Sequence, residues 1–137
     1  MMKYLIGELA KKSQVSVDSI RFYEKRGVLK APKRADNNYR YYDDQALDQL
    51  IFIRHCRELG MSLKEIEALQ QLLEHPEQQC TLVDQAIEIH LGHINEKIKQ
   101  FERFKTELQQ LRQRCQSSTT IDDCKIVQTL KEHDPSI

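Results

Sequence analysis

The chain predicts a mainly α fold in two parts, a small basic head of short helices that carries a β-hairpin, and a long single helix beyond it. Three observations point there. Apolar residues recur at three- and four-residue steps along most of the 137 residues. One stretch, 28–42, changes instead to β-formers around a Pro and an Asn-rich turn. From Thr81 to Arg114 there is no Pro, and Gly92 is the single Gly.

The first helix carries Ile6, Leu9 and Ala10 at helical spacing and stops at the polar break Ser13-Gln14. A second begins with Ser16 as N-cap and runs from Val17 through Arg26, where Gly27 supplies a left-handed stop. Two short helices joined by a tight turn, the second bearing Arg21, Tyr23, Lys25 and Arg26, match a helix-turn-helix, a pattern that small helical domains also share. The segment Val28 to Tyr42 follows as a hairpin wing. Its Arg34, Arg40 and tyrosines can supply charge and hydroxyls to phosphates, while core packing competes for Tyr41 and Tyr42.

A third helix starts at Asp43 or Asp44, whose carboxylates suit a helix N-terminus, and carries Leu47, Leu50, Ile51, Ile53 and Leu59 up to Gly60. Ser62 with Glu65 forms a capping box for a fourth helix through Ile66, Leu69, Leu72 and Leu73, ending near His75-Pro76. On the long helix, Ile87, Leu91, Ile94, Ile98, Phe101 and Leu108 form a seam that Lys105 interrupts. A stripe that narrow builds no core alone, so a second copy of the helix is expected against it. The polar stretch Gln116 to Asp123 ends this helix, and a short final one holds Cys124, Ile126, Val127 and Leu130. The expected division is therefore a head over 1–76, a dimerisation helix over 77–114 and a loop with a short helix over 115–137.

The net charge of zero conceals an asymmetry. Residues 1–42 hold ten Lys or Arg against four acids, a local +6, and the remaining 95 residues carry −6. A basic head on an acidic body suits a polyanion partner for the head, although a solvated face has the same composition. No run of eighteen apolar residues occurs and the N-terminus lacks a signal-peptide core, so a soluble, cytoplasmic protein with no membrane partner is expected. No Ser-His-Asp set, HExxH or glycine-rich phosphate loop is present, and an enzyme is not expected.

Of the four cysteines, Cys56 sits among Ile53, Arg57 and Leu59 and reads as structural. Cys80 and Cys115 flank the long helix, thirty-five residues apart, which is roughly 50 Å at helical rise. One chain could not close a site from them. Antiparallel pairing of two chains would bring Cys80 of one beside Cys115 and Cys124 of the other, a thiol-only set suited to a soft metal ion. In a reducing compartment thiols or metal ligands are more natural than disulfides, and packing as small apolar residues is the competing role.

Several runs together resemble a known family: Ile6-Gly7-Glu8-Leu9-Ala10, Ser19-Ile20-Arg21-Phe22-Tyr23-Glu24, Asn38-Tyr39-Arg40-Tyr41-Tyr42, and Leu59-Gly60-Met61-Ser62-Leu63-Lys64-Glu65-Ile66. They are similar to the MerR family of transcription regulators over nearly the whole chain. Phe52 to Arg57 and the spacing of the three cysteines look most like its cadmium- and lead-responsive branch. The resemblance implies winged helix-turn-helix heads on a homodimer joined by a long antiparallel coiled coil. It also implies binding to double-stranded promoter DNA whose spacer is distorted when metal arrives, so that RNA polymerase is reached through the promoter. Carried over by position, recognition contacts fall on Val17, Ser19, Arg21, Phe22 and Tyr23, and wing contacts on Arg34, Arg40 and Tyr41. The metal cysteines fall on Cys80, Cys115 and Cys124, with Cys80 given by the other subunit.

Three thiols favour lead(II) or cadmium(II), with mercury(II) and zinc(II) as alternatives and a thiol redox sensor as a further reading on the same fold. Gln116 stands where the zinc-responsive branch is expected to have a second cysteine, and the tail Lys131 to Ile137 lacks a histidine-rich extension. His90 and His93 could add ligands, but histidines on a surface helix are usually only solvated.

Overall fold

The computed structural model describes residues 2–115 and 119–132. It is mainly helical, in the order α1 (Ile6–Ser13), α2 (Val17–Lys25), β1 (Lys33–Arg34), β2 (Arg40–Tyr41), α3 (Asp44–Glu58), α4 (Leu63–Leu73), α5 (Thr81–Gln113), a 3-10 turn (Ile121–Asp123) and α6 (Lys125–Lys131). Two compact units divide it, Met1–His90 and Leu91–Ile137. Among the described residues no helix is long and apolar enough to cross a membrane.

Local chemistry sets most of the boundaries in the first unit. The Ser16 hydroxyl accepts from the Ser19 N–H at 3.1 Å to open α2, and Asp43 accepts from the Ala46 N–H at 3.0 Å to open α3. At α4 the capping box is complete, with Ser62 Oγ accepting from the Glu65 N–H and Glu65 Oε1 accepting from the Ser62 N–H. Each such cap satisfies amides the helix cannot, worth about 1 kcal/mol. Gly27 and Gly60 lie at φ +78° and +80°, where an L side chain is strained, so α2 and α3 end there. Gln14, at φ 60°, ends α1 in the same region without glycine.

The wing is one antiparallel pair, Lys33 opposite Tyr41 and Arg34 opposite Arg40. Tyr4 extends it by exchanging backbone bonds with Tyr42 at 2.7 and 2.8 Å. The core is split in two. Leu9, Ile20, Leu29, Tyr42 and Leu50 pack between α1, α2, α3 and the wing, and Val28, Ile53, Cys56, Met61, Ile66 and Leu69 pack between α3 and α4. Val83 and Ala86 bring the first turns of α5 onto the second cluster, within the first unit. Leu59, expected inside the apolar face of α3, is its C-cap and is 69% exposed, because the helix ends beneath it and Cys56 is the last residue that α3 buries.

In the second unit the rest of α5 carries Leu91, Ile98, Phe101, Phe104 and Leu108 exposed, with Phe101 and Phe104 edge to face at 5.8 Å. Arg114 donates to Thr129 Oγ1 at 2.8 Å, tying the segment after α5 to α6. Cys124 precedes α6 as its N-cap rather than lying inside it, since its extended backbone follows the 3-10 turn. Gln116 and the tail beyond Glu132 lie outside the described residues.

Candidate functional site

Two groups of side chains were marked by the sequence, a basic face on the head and three thiols. On the head, α2 and the wing border a cleft of about 840 Å³ whose polar lining includes Arg21, Glu24, Lys25, Asn38 and Arg40. Arg21 is exposed there, and Val17 and Ser19 are half-buried in the first turn of α2. Ser19 is partly committed to its own cap, its hydroxyl accepting from Ser16 Oγ at 2.9 Å. Phe22 is 48% exposed, with the Arg26 guanidinium 5.8 Å from its ring centre. Tyr23 is half-buried and packs against both core clusters, so its ring braces α2 on the core as well as bordering this face.

The wing holds its cations in place by hydrogen bonds. Arg34 donates to Asn38 Oδ1 at 2.9 Å across the turn, where Asn38 takes φ 67°. Arg40 donates to Glu24 Oε2 at 3.2 Å, and the Tyr42 hydroxyl donates to Glu24 Oε1. Burial first, then the bond to Glu24, pushes the Tyr42 phenol far above its ordinary range. Tyr41 is half-buried with the Lys3 ammonium 4.7 Å from its ring centre, a cation–π contact. Of the two tyrosines given to core packing, Tyr42 fills the core and Tyr41 does not. Glu24 anchors the wing on this face, a role the sequence does not show because its partners are sixteen and eighteen residues away.

The cysteines sort by exposure. Cys56 is 7% exposed among Ile53, Met61 and Ile66, and burial pushes its thiol pKa up. Cys80 is exposed just before α5, its carbonyl accepting the Asp84 N–H at 3.1 Å, beside a small apolar pocket that includes Leu72, His75 and Val83. Cys115 is exposed two residues past the end of α5, and Cys124 is half-buried at the start of α6. All four are free thiols. His90, expected to be solvated on a surface helix, is instead 7% exposed, because Val83, Ala86 and His90 share the face of α5 that meets the head.

Comparison with known proteins agrees with this architecture. The model of the MerR HTH family regulatory protein matches residues 4–73. The mercuric resistance operon regulatory protein of Bacillus cereus is 36% identical over 129 residues, 94% of this chain and 98% of that protein. The chain belongs to the MerR family. A second MerR model, described as DNA binding, matches residues 47–111. The crystal structure of the transcription regulator PbrR691 from Ralstonia metallidurans CH34 in complex with lead(II) is similar at a TM-score of 0.78 and 39% identity, covering 95% of this chain and 99% of that one. The HTH-type transcriptional regulator ZntR of Escherichia coli K12 is 34% identical over 113 residues, 82% of this chain and 80% of that protein. The winged helix-turn-helix head followed by a long helix is thus the MerR arrangement.

Proposed function

We propose that this MerR-family protein is a metal-responsive regulator of transcription that binds double-stranded promoter DNA as a cytoplasmic homodimer and responds to a soft divalent ion, lead(II) or cadmium(II). In this reading the helix-turn-helix face of Val17, Ser19, Arg21, Phe22 and Tyr23 enters a major groove, and Arg34, Arg40 and Tyr41 of the wing hold phosphates. The domains act as a head over 1–76, a dimerisation helix over 77–114 and a sensing segment over 115–137. The seam with Leu91, Ile98, Phe101 and Leu108 exposed supports pairing with a second copy, since such a stripe otherwise stays in water.

The observation that carries the sensing role is the contrast among the cysteines. Cys56 does what a structural cysteine does and is buried, whereas Cys80 and Cys115 are exposed and Cys124 is half-buried, all three outside the two core clusters. Thiolates are soft donors, and a set without carboxylate or imidazole fits lead or cadmium better than magnesium or manganese. In the dimer, Cys115 and Cys124 of one chain would hold the ion together with Cys80 of the partner subunit. The regulator then acts on the shape of the spacer DNA, a deformation of a few kcal/mol by elastic estimates, and RNA polymerase meets the result through the promoter.

Lead is supported by the 39% identity to a regulator solved with lead(II). Mercury(II) is the second reading, supported by the 36% identity to a mercuric resistance regulator along 94% of the chain. Zinc(II) follows from the likeness to ZntR, at 34% identity. Competitive titration of the metal-free protein with lead, cadmium, mercury and zinc, followed by the ultraviolet thiolate charge-transfer bands, ranks the ions, and transcription from the upstream promoter tests which of them activates. If none of the four protects the thiols or alters promoter output, and oxidant does, the chain is a thiol redox sensor instead.

A further inference from the structure

Among the described residues two polar side chains are buried, Ser13 and His90. Ser13 is accounted for locally, its hydroxyl donating to the Ala10 carbonyl and accepting from the Val15 N–H. His90 is not local. Its Nδ1 lies 2.9 Å from Glu65 Oε2 and its Nε2 lies 2.9 Å from the Leu59 carbonyl oxygen. Each ring nitrogen thus faces an oxygen of a different partner.

The two partners sit on either side of one turn. Leu59 is the C-cap of α3, where carbonyls are left without a partner inside the helix. Glu65 is the capping-box residue of α4, with Oε1 accepting from the Ser62 N–H at 3.0 Å and Oε2 meeting His90. Between them the chain turns through Gly60 at φ +80° and buries Met61. One imidazole on α5 therefore holds the end of one head helix and the start of the next. Val83 and Ala86, on the same side of α5, make only apolar contacts with the second cluster. Such contacts are non-directional and let a helix slide or roll, whereas two hydrogen bonds to opposite edges of a planar ring fix its rotation. Leu50 on α3 belongs to the same core cluster as Ile20 of α2, so α3 shares a core with the helix that faces the cleft.

We propose that His90, with Glu65 and the Leu59 carbonyl, is the positioning link through which a change in α5 reaches the DNA-binding head. It determines how strongly ion binding alters operator DNA without itself touching ion or DNA. The inference rests on the metal-responsive reading above.

The test compares full-length wild type with His90→Gln, Glu65→Gln and the double variant, Gln at 65 keeping an oxygen for the cap. The readouts are operator affinity without metal, affinity for lead(II) or mercury(II), and metal-dependent permanganate reactivity of the promoter spacer. Both affinities are expected to stay within about twofold, while the metal-dependent reactivity falls by about tenfold in each single variant and no further in the double, as a shared link requires. A metal response preserved in both single variants overturns the link, and so does a loss no larger than the loss of metal-free operator affinity. Wild type that gives no metal response would sink the regulatory reading instead. In that event hydrogen exchange of the metal-free proteins still decides the structural link, since His90→Gln must speed exchange at the Glu65 and Ile66 amides and unchanged exchange overturns it.

Discussion

Replacing Glu24 separates what anchors the wing from what merely surrounds it. The Glu24 side chain is 12% exposed and takes both the Tyr42 hydroxyl and the Arg40 guanidinium. Glu24→Ala leaves the hydroxyl of Tyr42, a residue 4% exposed, without its acceptor, a loss of about 1–3 kcal/mol. The Arg40 side chain is 57% exposed, so solvent screens that ion pair and it adds less than about 1 kcal/mol. Tyr42→Phe removes the hydroxyl and costs about 1 kcal/mol. The double variant should cost less than the sum of the singles by about 1 kcal/mol, since the penalty of Glu24→Ala is mostly an orphaned hydroxyl that Phe no longer has. Urea denaturation of the four proteins measures this. Additivity within about 0.5 kcal/mol would mean that Glu24 and Tyr42 are not coupled and that the wing is held by packing alone. Operator binding supplies an independent check, because a wing freed from α2 misplaces Arg40 and should weaken binding in Glu24→Ala more than in Tyr42→Phe.

Other expectations follow from the same geometry. Because the Tyr42 phenol is held above its ordinary range in the fold, its contribution is full below about pH 10 and is lost as pH rises beyond it. The stability gap between wild type and Tyr42→Phe should therefore narrow in alkali, as followed by circular dichroism in urea. Asp43 is shifted the other way, its carboxyl held down by Lys33 at 3.0 Å and by the Ala46 N–H. Asp43→Ala should cost about 1 kcal/mol at neutral pH, as an N-cap. That cost should fade as pH drops below the ordinary carboxylate range, where wild type loses the same contribution. Arg40→Ala should weaken operator binding across sequences and lower the salt slope by about one unit, the mark of a phosphate contact. Arg21→Ala should relax discrimination between operator and random DNA, measured by competition in gel shift. Cys56→Ser should lower stability by about 1–3 kcal/mol by burying a hydroxyl, with metal stoichiometry unchanged.

The parts of this fold that were legible in the sequence are those set within a turn or two of chain. Ser16, the Ser62 and Glu65 box, Gly27 and Gly60 each act on neighbours within about four residues, and the helix ends they imply are where the structure has them. The long helix was legible because nothing between Thr81 and Gln113 interrupts it. What was hidden depends on residues brought together by packing. Glu24 meets Tyr42 across eighteen residues and His90 meets Glu65 across twenty-five, separations that no periodicity encodes. The clue to His90 was its helical spacing from Val83 and Ala86, which puts it on the face of α5 packed against the head rather than on a solvated one. Leu59 failed in the opposite sense, since an apolar residue at helical spacing still ends exposed when the helix terminates under it. Exposure then separated Cys56 from the other three thiols, a distinction the neighbouring sequence only hinted at.

The central claim is that one sensing site takes thiols from two chains, and mixed dimers test it most directly. A Cys80→Ser chain retains Cys115 and Cys124, and a Cys115→Ser/Cys124→Ser chain retains Cys80, so neither variant alone can build the three-thiol set. Titrated separately with lead(II), each should bind operator DNA but show no three-thiolate charge-transfer band. Co-refolded and purified as the heterodimer, they should recover one such site per dimer and a metal-dependent promoter response. A heterodimer as silent as its parents, or a Cys80→Ser homodimer that keeps the full band, would contradict the shared site.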